Sequence, residues 1–144
     1  MNLVSRRRPF IWSTIFAYSR YRGHAAPIIP IKILAGHRWR KIWAYVDSGA
    51  AYSVLTVADA KRLGLFRVKG RRIAIATSGG VPRKISLHRL WVRIGTDHRL
   101  SITFGVPRGF DVDFNLLGRH DLFRRYRISF DDSNAILAFI REID

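Results

Sequence analysis

The sequence predicts an all-β domain, either a barrel or a sandwich, from two observations. Most of its 144 residues fall into short runs of β-branched and aromatic residues separated by Gly, Pro, Asp and Asn. Helical periodicity is confined to two short segments. With 48% hydrophobic and 12% aromatic residues, the chain is long enough for one compact domain and too short for two ordinary ones.

Eight strands are predicted in order along the chain, with ends placed to within about two to four residues. They cover residues 10–18, 27–35, 39–47, 71–77, 84–94, 99–106, 125–130 and 135–140. Ala35-Gly36-His37 predicts a hairpin between the second and third strands. A second hairpin is centred on Ser78-Gly79-Gly80, where the alternating arms indicate a half-exposed ribbon with a flexible glycine tip.

Two helices interrupt the strands. The first is predicted from Thr56 as its N-cap to Gly64 as its stop signal, with Asp59 in the first turn and basic residues in the last. The second is shorter and spans about His120 to Arg124, with Asp121 near its positive N-terminal end.

The formal net charge of +16, from 26 Lys+Arg against 10 Asp+Glu, would attract polyanions such as nucleic acid. The basic residues are scattered and alternate with apolar ones, which favours a solvated surface over a dedicated nucleic-acid site. Four tryptophans with interleaved arginines could stack on bases, but alternating aromatic residues on strands are more often core. Nucleic acid is therefore expected to bind through non-specific charge only.

Cofactor chemistry is not indicated. The absence of cysteine excludes disulfides, thiolate catalysis and cysteine-based zinc sites. The five histidines have no ligand-like spacing, so neither a metal nor any other cofactor is predicted.

The N-terminus couples Arg6-Arg7-Arg8 to an apolar run from Pro9 to Tyr18, as a signal peptide would. Ser13 and Thr14 interrupt that run and no clean cleavage site follows, so a β-strand is favoured. No apolar segment approaches the roughly 20 residues of a membrane-spanning helix. A cytoplasmic location is favoured, and a signal sequence stays open as the alternative.

One carboxylate has a setting suited to catalysis. Asp47-Ser48-Gly49-Ala50 follows the apolar run 42–46, which puts Asp47 on a tight turn at the tip of a buried strand. Asp-Ser-Gly is also a common local turn sequence. The other acidic residues lie in loops, helices or at the terminus, or lack a following glycine turn. Chemistry that needs two carboxylates sharing one proton would take the second from another copy of the chain.

The order of these segments resembles the retropepsin-like aspartic proteases. A hairpin leads into Asp47-Ser48-Gly49-Ala50, a glycine-tipped hairpin follows, and Phe114-Asn115-Leu116-Leu117-Gly118-Arg119 then enters a short helix. The resemblance covers about Pro27 to Ile140, and the helix Thr56–Leu63 is more typical of cellular and prokaryotic members than of viral ones. It implies a closed β-barrel with a flap hairpin that works as a homodimer, built by a protease domain over residues 27–144 after a basic arm and strand over 1–26.

The resemblance also implies roles for individual residues. Asp47, one from each subunit, would activate the water that hydrolyses a peptide bond in a protein or peptide substrate. The supporting residues implied are Ser48, Gly49 and Ala50 in the active-site loop, Ser78, Gly79, Gly80 and Val81 in the flap, and Phe114, Leu116, Leu117, Gly118 and Arg119 in the pocket wall and structural motif.

One position departs from the viral pattern. The counterpart of Arg119 there pairs with an aspartate four residues after the catalytic one, and here that position is Ala51. Arg119 is expected to reach Asp121, another carboxylate or a backbone carbonyl instead. The predicted function is an aspartic endopeptidase, and the alternative is a weakly active or inactive binding module with a basic, polyanion-attracting surface.

Overall fold

The computed structural model of the chain describes residues 10–143. Arg6-Arg7-Arg8 and the rest of the predicted arm before residue 10 lie outside this range. Within it the strands are β1 Phe10–Ala17, β2 Ser19–Tyr21, β3 His24–Ala26, β4 Ile28–Ala35, β5 Arg38–Val46, β6 Ser53–Val54, β7 Arg71–Ile75, β8 Arg83–Arg93, β9 Leu100–Arg108, β10 Asn115–Leu117, β11 Arg127–Asp131 and β12 Ile136–Ile143. The helices are α1 Val57–Arg62 and α2 Leu122–Arg125.

Six strands close into a barrel, which confirms the predicted all-β fold. They pair in the order β4, β5, β10, β6, β9 and β8, and β8 pairs back onto β4 to close the ring. Alternate side chains point inward, so Ile29, Ile31 and Ile33 of β4 are buried while the residues between them face outward. β7 pairs with β8 alone and extends from the barrel as one arm of a hairpin.

A second sheet joins the two ends of the described chain. β1 runs antiparallel to β12 from Phe10 opposite Ile143 to Ala17 opposite Ile136, and β11 pairs with the other edge of β12. Trp12 and Phe16 pack against the core from β1. The strand β1 therefore pairs with β12 of the same chain.

A buried polar cluster fastens this sheet to the barrel. The hydroxyl of Tyr126 donates to Asp97 at 2.6 Å, and Arg141 donates to the other oxygen of the same carboxylate at 2.8 Å. Burial, together with this hydrogen bond to Asp97, raises the pKa of Tyr126 well above its ordinary value. Moving the sheet away from the barrel would separate Arg141 from Asp97 and leave a buried charge without its partner. Because that is unfavourable, the cluster holds the sheet in one position.

The predicted elements are confirmed, and the predicted strand ends differ from the observed ones by at most three residues. Helix α1 begins where the sequence predicts, with the Thr56 hydroxyl accepting from the Asp59 amide at 3.1 Å. Helix α2 starts at Leu122, two residues later than predicted, and Asp121 precedes it with a positive φ of 67° and no side-chain capping bond. The strands β2, β3, β6 and β10 were not predicted, since two or three residues are too few to show alternation.

Two tryptophans contradict the expectation that these residues belong to the core. Trp43 is 50% exposed and Trp91 is 44% exposed on the outside of the barrel. Outward-facing strand positions need no apolar side chain for folding, so the expectation is wrong at both. Neither helix among residues 10–143 has the length or apolar character needed to cross a bilayer.

Candidate active site

Asp47 stands where β5 leaves the barrel. Val46 is buried, and the next residue begins a tight turn with its carboxylate half-buried. The amide of Gly49 donates to Asp47 Oδ1 at 2.8 Å, and the amide of Ala50 donates to the Asp47 carbonyl at 3.2 Å. A Cβ on Gly49 would lie only 3.2 Å from that carboxylate oxygen. The turn therefore fixes the orientation of its own carboxylate.

A second strand lies directly behind this turn. β10 runs parallel to β5 with Leu117 opposite Val46, and the Asp47 amide donates to the Leu117 carbonyl at 2.9 Å. On its other edge β10 pairs with β6 through Leu116 and Val54. Leu117 therefore pairs with the strand that precedes the Asp47 loop, and Leu116 pairs with the short strand that follows it.

Gly118 lies where the segment after β10 comes closest to the loop after Asp47. Its amide donates to the buried hydroxyl of Ser53 at 3.0 Å. A Cβ there would lie 2.5 Å from the carbonyl oxygen of Tyr52 and 2.8 Å from that of Ala50, so no larger residue fits. The amide of Arg119 then donates to the Ala50 carbonyl at 2.9 Å. The loop after Asp47 and the segment after β10 are therefore held together through backbone atoms.

Arg119 contributes its backbone to this site. Its side chain is exposed and forms no salt bridge with a carboxylate among residues 10–143. The expected alternative partner, Asp121, pairs with Arg89 at 3.6 Å and accepts from the Thr103 amide at 3.1 Å. Burial raises the pKa of Asp121, but the hydrogen bonding with Thr103 and the charges of His120 and Arg89 outweigh it and lower the pKa. The expected Arg119–Asp121 contact is therefore wrong.

Asn115 is the residue at this site that sequence reasoning missed. It is 4% exposed, and its amide nitrogen donates to the Trp43 carbonyl at 2.8 Å and to Asp59 at 2.6 Å. Its oxygen accepts from the Thr56 amide at 2.9 Å. One side chain thereby ties β10 to β5 and to the start of α1. The available signal was an amide within an apolar run, since buried polar groups in such runs are hydrogen-bonded.

Phe114 lies at the edge of the site. Its ring packs edge-on against Tyr21 of β2, with ring centres 4.2 Å apart, and its centre lies 6.0 Å from that of Tyr45. The short β2–β3 hairpin, absent from the sequence prediction, therefore covers part of this side chain.

The glycine-tipped hairpin is formed by β7 and β8. Residues 78–81 at its tip are all exposed, and Val81 exposes 55% of its surface. The hydrogen bonds of the tip are local: the Gly80 amide donates to the Thr77 carbonyl at 2.9 Å, and the Thr77 hydroxyl donates to the Val81 carbonyl at 3.1 Å. Gly80 has a φ of +73°, which L-residues with a side chain rarely adopt.

A single chain supplies one carboxylate at this turn. No group of three His, Asp or Glu side chains within the described part of the chain could hold a metal ion. A cavity of about 540 Å³ lies around Phe66 and does not include Asp47. The half-buried carboxylate of Asp47 can act as an acid or a base.

Comparison with known proteins decides the family. The model of the aspartyl protease family matches residues 29–131, which include the Asp47 loop, the hairpin tip and β10. The chain belongs to the aspartyl protease family. The resemblance drawn from the sequence is thereby confirmed.

Solved structures of this family share the fold. A retropepsin-like aspartic protease from Rickettsia conorii is 28% identical, covers 93% of this chain and 94% of its own, and superposes with a TM-score of 0.62. The retroviral protease-like domain of Ddi1 from Leishmania major is 21% identical, covers 83% and 94%, and has a TM-score of 0.50, a likeness that bears on the fold alone.

A relative among characterised proteins is the UBA domain-containing protein Mud1 of Schizosaccharomyces pombe. It is 37% identical over 99 residues, which are 67% of this chain and 29% of that protein. The matched region is therefore less than a third of the length of Mud1.

Proposed function

We propose that the chain is an aspartic endopeptidase that works as a homodimer, with one Asp47 from each subunit flanking a shared water. The observation that supports this most directly is the hydrogen-bonded construction of the Asp47 loop. Its carboxylate is held by the Gly49 amide, and its backbone by the Leu117 carbonyl. A group held in one orientation can act on a bound water without first reorganising.

The proposed reaction follows from two carboxyl groups brought close together. Both cannot ionise at that separation, so one keeps a proton. The charged group takes a proton from the water while the water oxygen bonds to the scissile carbonyl carbon, and the neutral group donates a hydrogen bond to the carbonyl oxygen. The tetrahedral intermediate then re-forms the carbonyl and its C–N bond breaks, and the amine leaves with the proton that the first carboxyl group took from the water, which restores one charged and one neutral carboxyl group. The step needs neither a covalent enzyme intermediate nor a metal.

Other residues take supporting roles in this proposal. Exposed Ser48 would bond across the dimer axis, and the tip of the β7–β8 hairpin would close over an extended peptide and bond to its backbone. Phe114 and Leu116 would border the substrate pocket. We assign this activity to residues 27–144, with residues 1–26 as an arm and strand before the protease domain.

Cleavage of an unfolded protein by purified wild type and Asp47→Asn tests the catalytic role. The assay covers acidic to neutral pH, with and without a pepstatin-like inhibitor. Since general acid–base groups contribute on the order of 100-fold or more to rate, Asp47→Asn should lose at least about 100-fold. Asp113→Asn, which removes an exposed carboxylate, is the control and should keep activity. Equal cleavage by wild type and Asp47→Asn would overturn the proposal.

Mixing experiments test the shared site. Activity should follow the dimer fraction measured by sedimentation, and excess Asp47→Asn chain should suppress wild-type activity by forming mixed dimers with one carboxylate. A fully active monomer would contradict the mechanism. Absence of cleavage under every condition, with polyanion binding that survives Asp47→Asn, would favour the binding-module alternative.

A further inference from the structure

Three basic side chains stand side by side on the outside of the barrel. In the strand register, Lys32 of β4 lies opposite Lys41 of β5 and also opposite Arg93 of β8. Because neighbouring strands are about 4.8 Å apart, the backbone positions of the three span only about 10 Å. All three side chains are exposed. The closure of the barrel thus gathers three cations that are far apart in the sequence.

No carboxylate among the described residues forms an ion pair with this row. The ion pairs formed among residues 10–143 leave out Lys32, Lys41 and Arg93. Like charges directly opposite each other on neighbouring strands are destabilising. A row of three without a counter-charge therefore lowers the stability of the isolated protein and would be relieved by a bound anion.

Tryptophan rings stand beside the row on the same face. Trp39 and Trp43 lie two residues before and two residues after Lys41 on β5, and Trp91 lies two residues before Arg93 on β8. Steps of two residues along a strand are about 7 Å, so each ring lies next to the cations. Trp43 is 50% exposed and Trp91 is 44% exposed, which leaves ring surface open to a ligand.

Each of these rings also has a cation over it. Lys41 Nζ lies 5.4 Å from the centre of the Trp43 ring, and the guanidinium carbon of Arg93 lies 4.7 Å from that of Trp39. Arg99 lies 4.6 Å from the Trp91 ring centre in the same way. Such contacts hold the rings and the charges in a fixed relation, and a guanidinium plane is itself a surface on which a base can stack.

A small cavity opens among the three cations. It measures about 160 Å³ and is lined by Phe16, Pro30, Ile31, Lys32, Lys41, Arg93 and Gly95. Since a liquid water occupies about 30 Å³, this is the space of about five waters. Its lining is largely apolar, so the exposed cations, and not the cavity wall, would hold a phosphate.

We propose that this face, defined by Lys32, Lys41 and Arg93 with Trp39, Trp43 and Trp91, binds single-stranded nucleic acid. The cations hold successive phosphates, and the tryptophans stack on unpaired bases. A duplex hides the faces of its bases, and an acidic peptide has carboxylates but no bases to stack, so the combination favours a single strand. The face lies on the outside of β5, whereas Asp47 follows the end of that strand, and binding is independent of the proposed peptidase chemistry.

Fluorescence anisotropy with a labelled oligothymidylate of about 20 nucleotides tests the proposal, because single-strand sites span roughly 4–16 nucleotides. The charge variant is Lys32→Gln with Lys41→Gln and Arg93→Gln. Loss of three phosphate contacts should make the slope of log K against log salt shallower by about 2. The ring variant, Trp43→Ala with Trp91→Ala, should bind about tenfold or more weakly, and Trp43→Phe with Trp91→Phe should restore most of the affinity.

Two controls separate this site from general basicity. Arg67→Gln with Lys69→Gln and Arg72→Gln removes the same charge from the separate cavity around Phe66, and it should change the affinity much less. Inorganic polyphosphate has charge without bases, so the ring variant should bind it as wild type does. Asp47→Asn should bind oligothymidylate unchanged, and circular dichroism checks that each variant is folded.

Several results would overturn the inference. An equal loss in the Phe66-cavity control would mean diffuse charge and no dedicated face. Unchanged binding of oligothymidylate by the folded ring variant would show that Trp43 and Trp91 do not stack on bases. Tryptophan-dependent binding to phosphatidylglycerol vesicles, with no binding to oligothymidylate, would assign the same face to a membrane surface.

Discussion

The loop that carries Asp47 and the tip of the β7–β8 hairpin are built in opposite ways. Residues 47–51 are bonded to β10 and to the segment after it, through Leu117, Arg119 and His120. The hairpin tip, by contrast, is held by two local bonds within residues 77–81, and residues 78–81 are exposed. The fold therefore immobilises the candidate catalytic group by tertiary contacts and leaves the candidate substrate-covering segment with the low local stability that closing motions need.

Gly118→Ala should produce the largest effect, because the new Cβ would lie 2.5 Å from the backbone of Tyr52. Overpacking against backbone costs about 3 kcal/mol, so we expect a loss of that size in the free energy of unfolding by urea titration. Gly79→Ala is the matched control at the hairpin tip, where a Cβ would meet nothing within 4 Å, and it should cost less than about 0.5 kcal/mol. Similar costs at both glycines would show that the two regions are equally permissive.

Asn115→Ala should be next, because it leaves the Thr56 amide and the Trp43 carbonyl without their partner. Unsatisfied buried groups cost about 1–3 kcal/mol each, and we expect a total loss of about 2–3 kcal/mol by the same titration. Asn134→Ala removes an exposed amide that bonds within its own turn and should cost under about 1 kcal/mol. A cost for Asn115→Ala no greater than that would contradict the role given to this side chain.

Gly80→Ala tests the conformation of the hairpin tip. With φ at +73°, the substitution should cost about 1 kcal/mol of stability and should slow peptide cleavage if the tip closes over substrate. Gly36→Ala carries the same strain, at +62°, in the turn between β4 and β5 and should leave cleavage unchanged. Equal cleavage rates for the two variants would argue against a flap role for Gly80.

The smallest effect concerns pH and the base of the hairpin. Burial, and secondarily the nearby charge of Arg108, lowers the pKa of His88 on β8. Unfolded chains therefore bind more protons than folded ones as the pH falls through the ordinary value of about 6.5. The contribution of neutral His88 to the free energy of unfolding is therefore fully present above about pH 6.5 and is lost progressively below it.

Urea titrations between pH 5 and pH 7.5 measure this dependence. His88→Asn should flatten the decline in unfolding free energy below about pH 6.5. His37→Asn, in the exposed β4–β5 turn, is the control and should keep the wild-type decline. An unchanged decline in His88→Asn would assign the pH dependence to other groups.

The parts of the fold that could be predicted from sequence depend on local signals. Helix α1 was predicted because Thr56 and Gly64 act on their own neighbours, and β5 because the apolar run over residues 42–46 is a local strand signal. The strands β6 and β10 have two and three residues, and they exist because the barrel supplies partners on both edges. The bonds made by Asn115 escaped prediction for the same reason, since they join residues more than 50 positions apart.

Local sequence signals were sufficient to predict the strand that leads into Asp47, the glycine turn after it and the glycine-tipped hairpin, because each depends on residues adjacent in the chain. The tertiary structure was needed to place β10 behind that turn and to pair Arg89, rather than Arg119, with Asp121. It alone also aligned Lys32, Lys41 and Arg93. The physical reason is strand register: closing a barrel fixes which distant residues become neighbours, and a single sequence carries no local signal of that pairing.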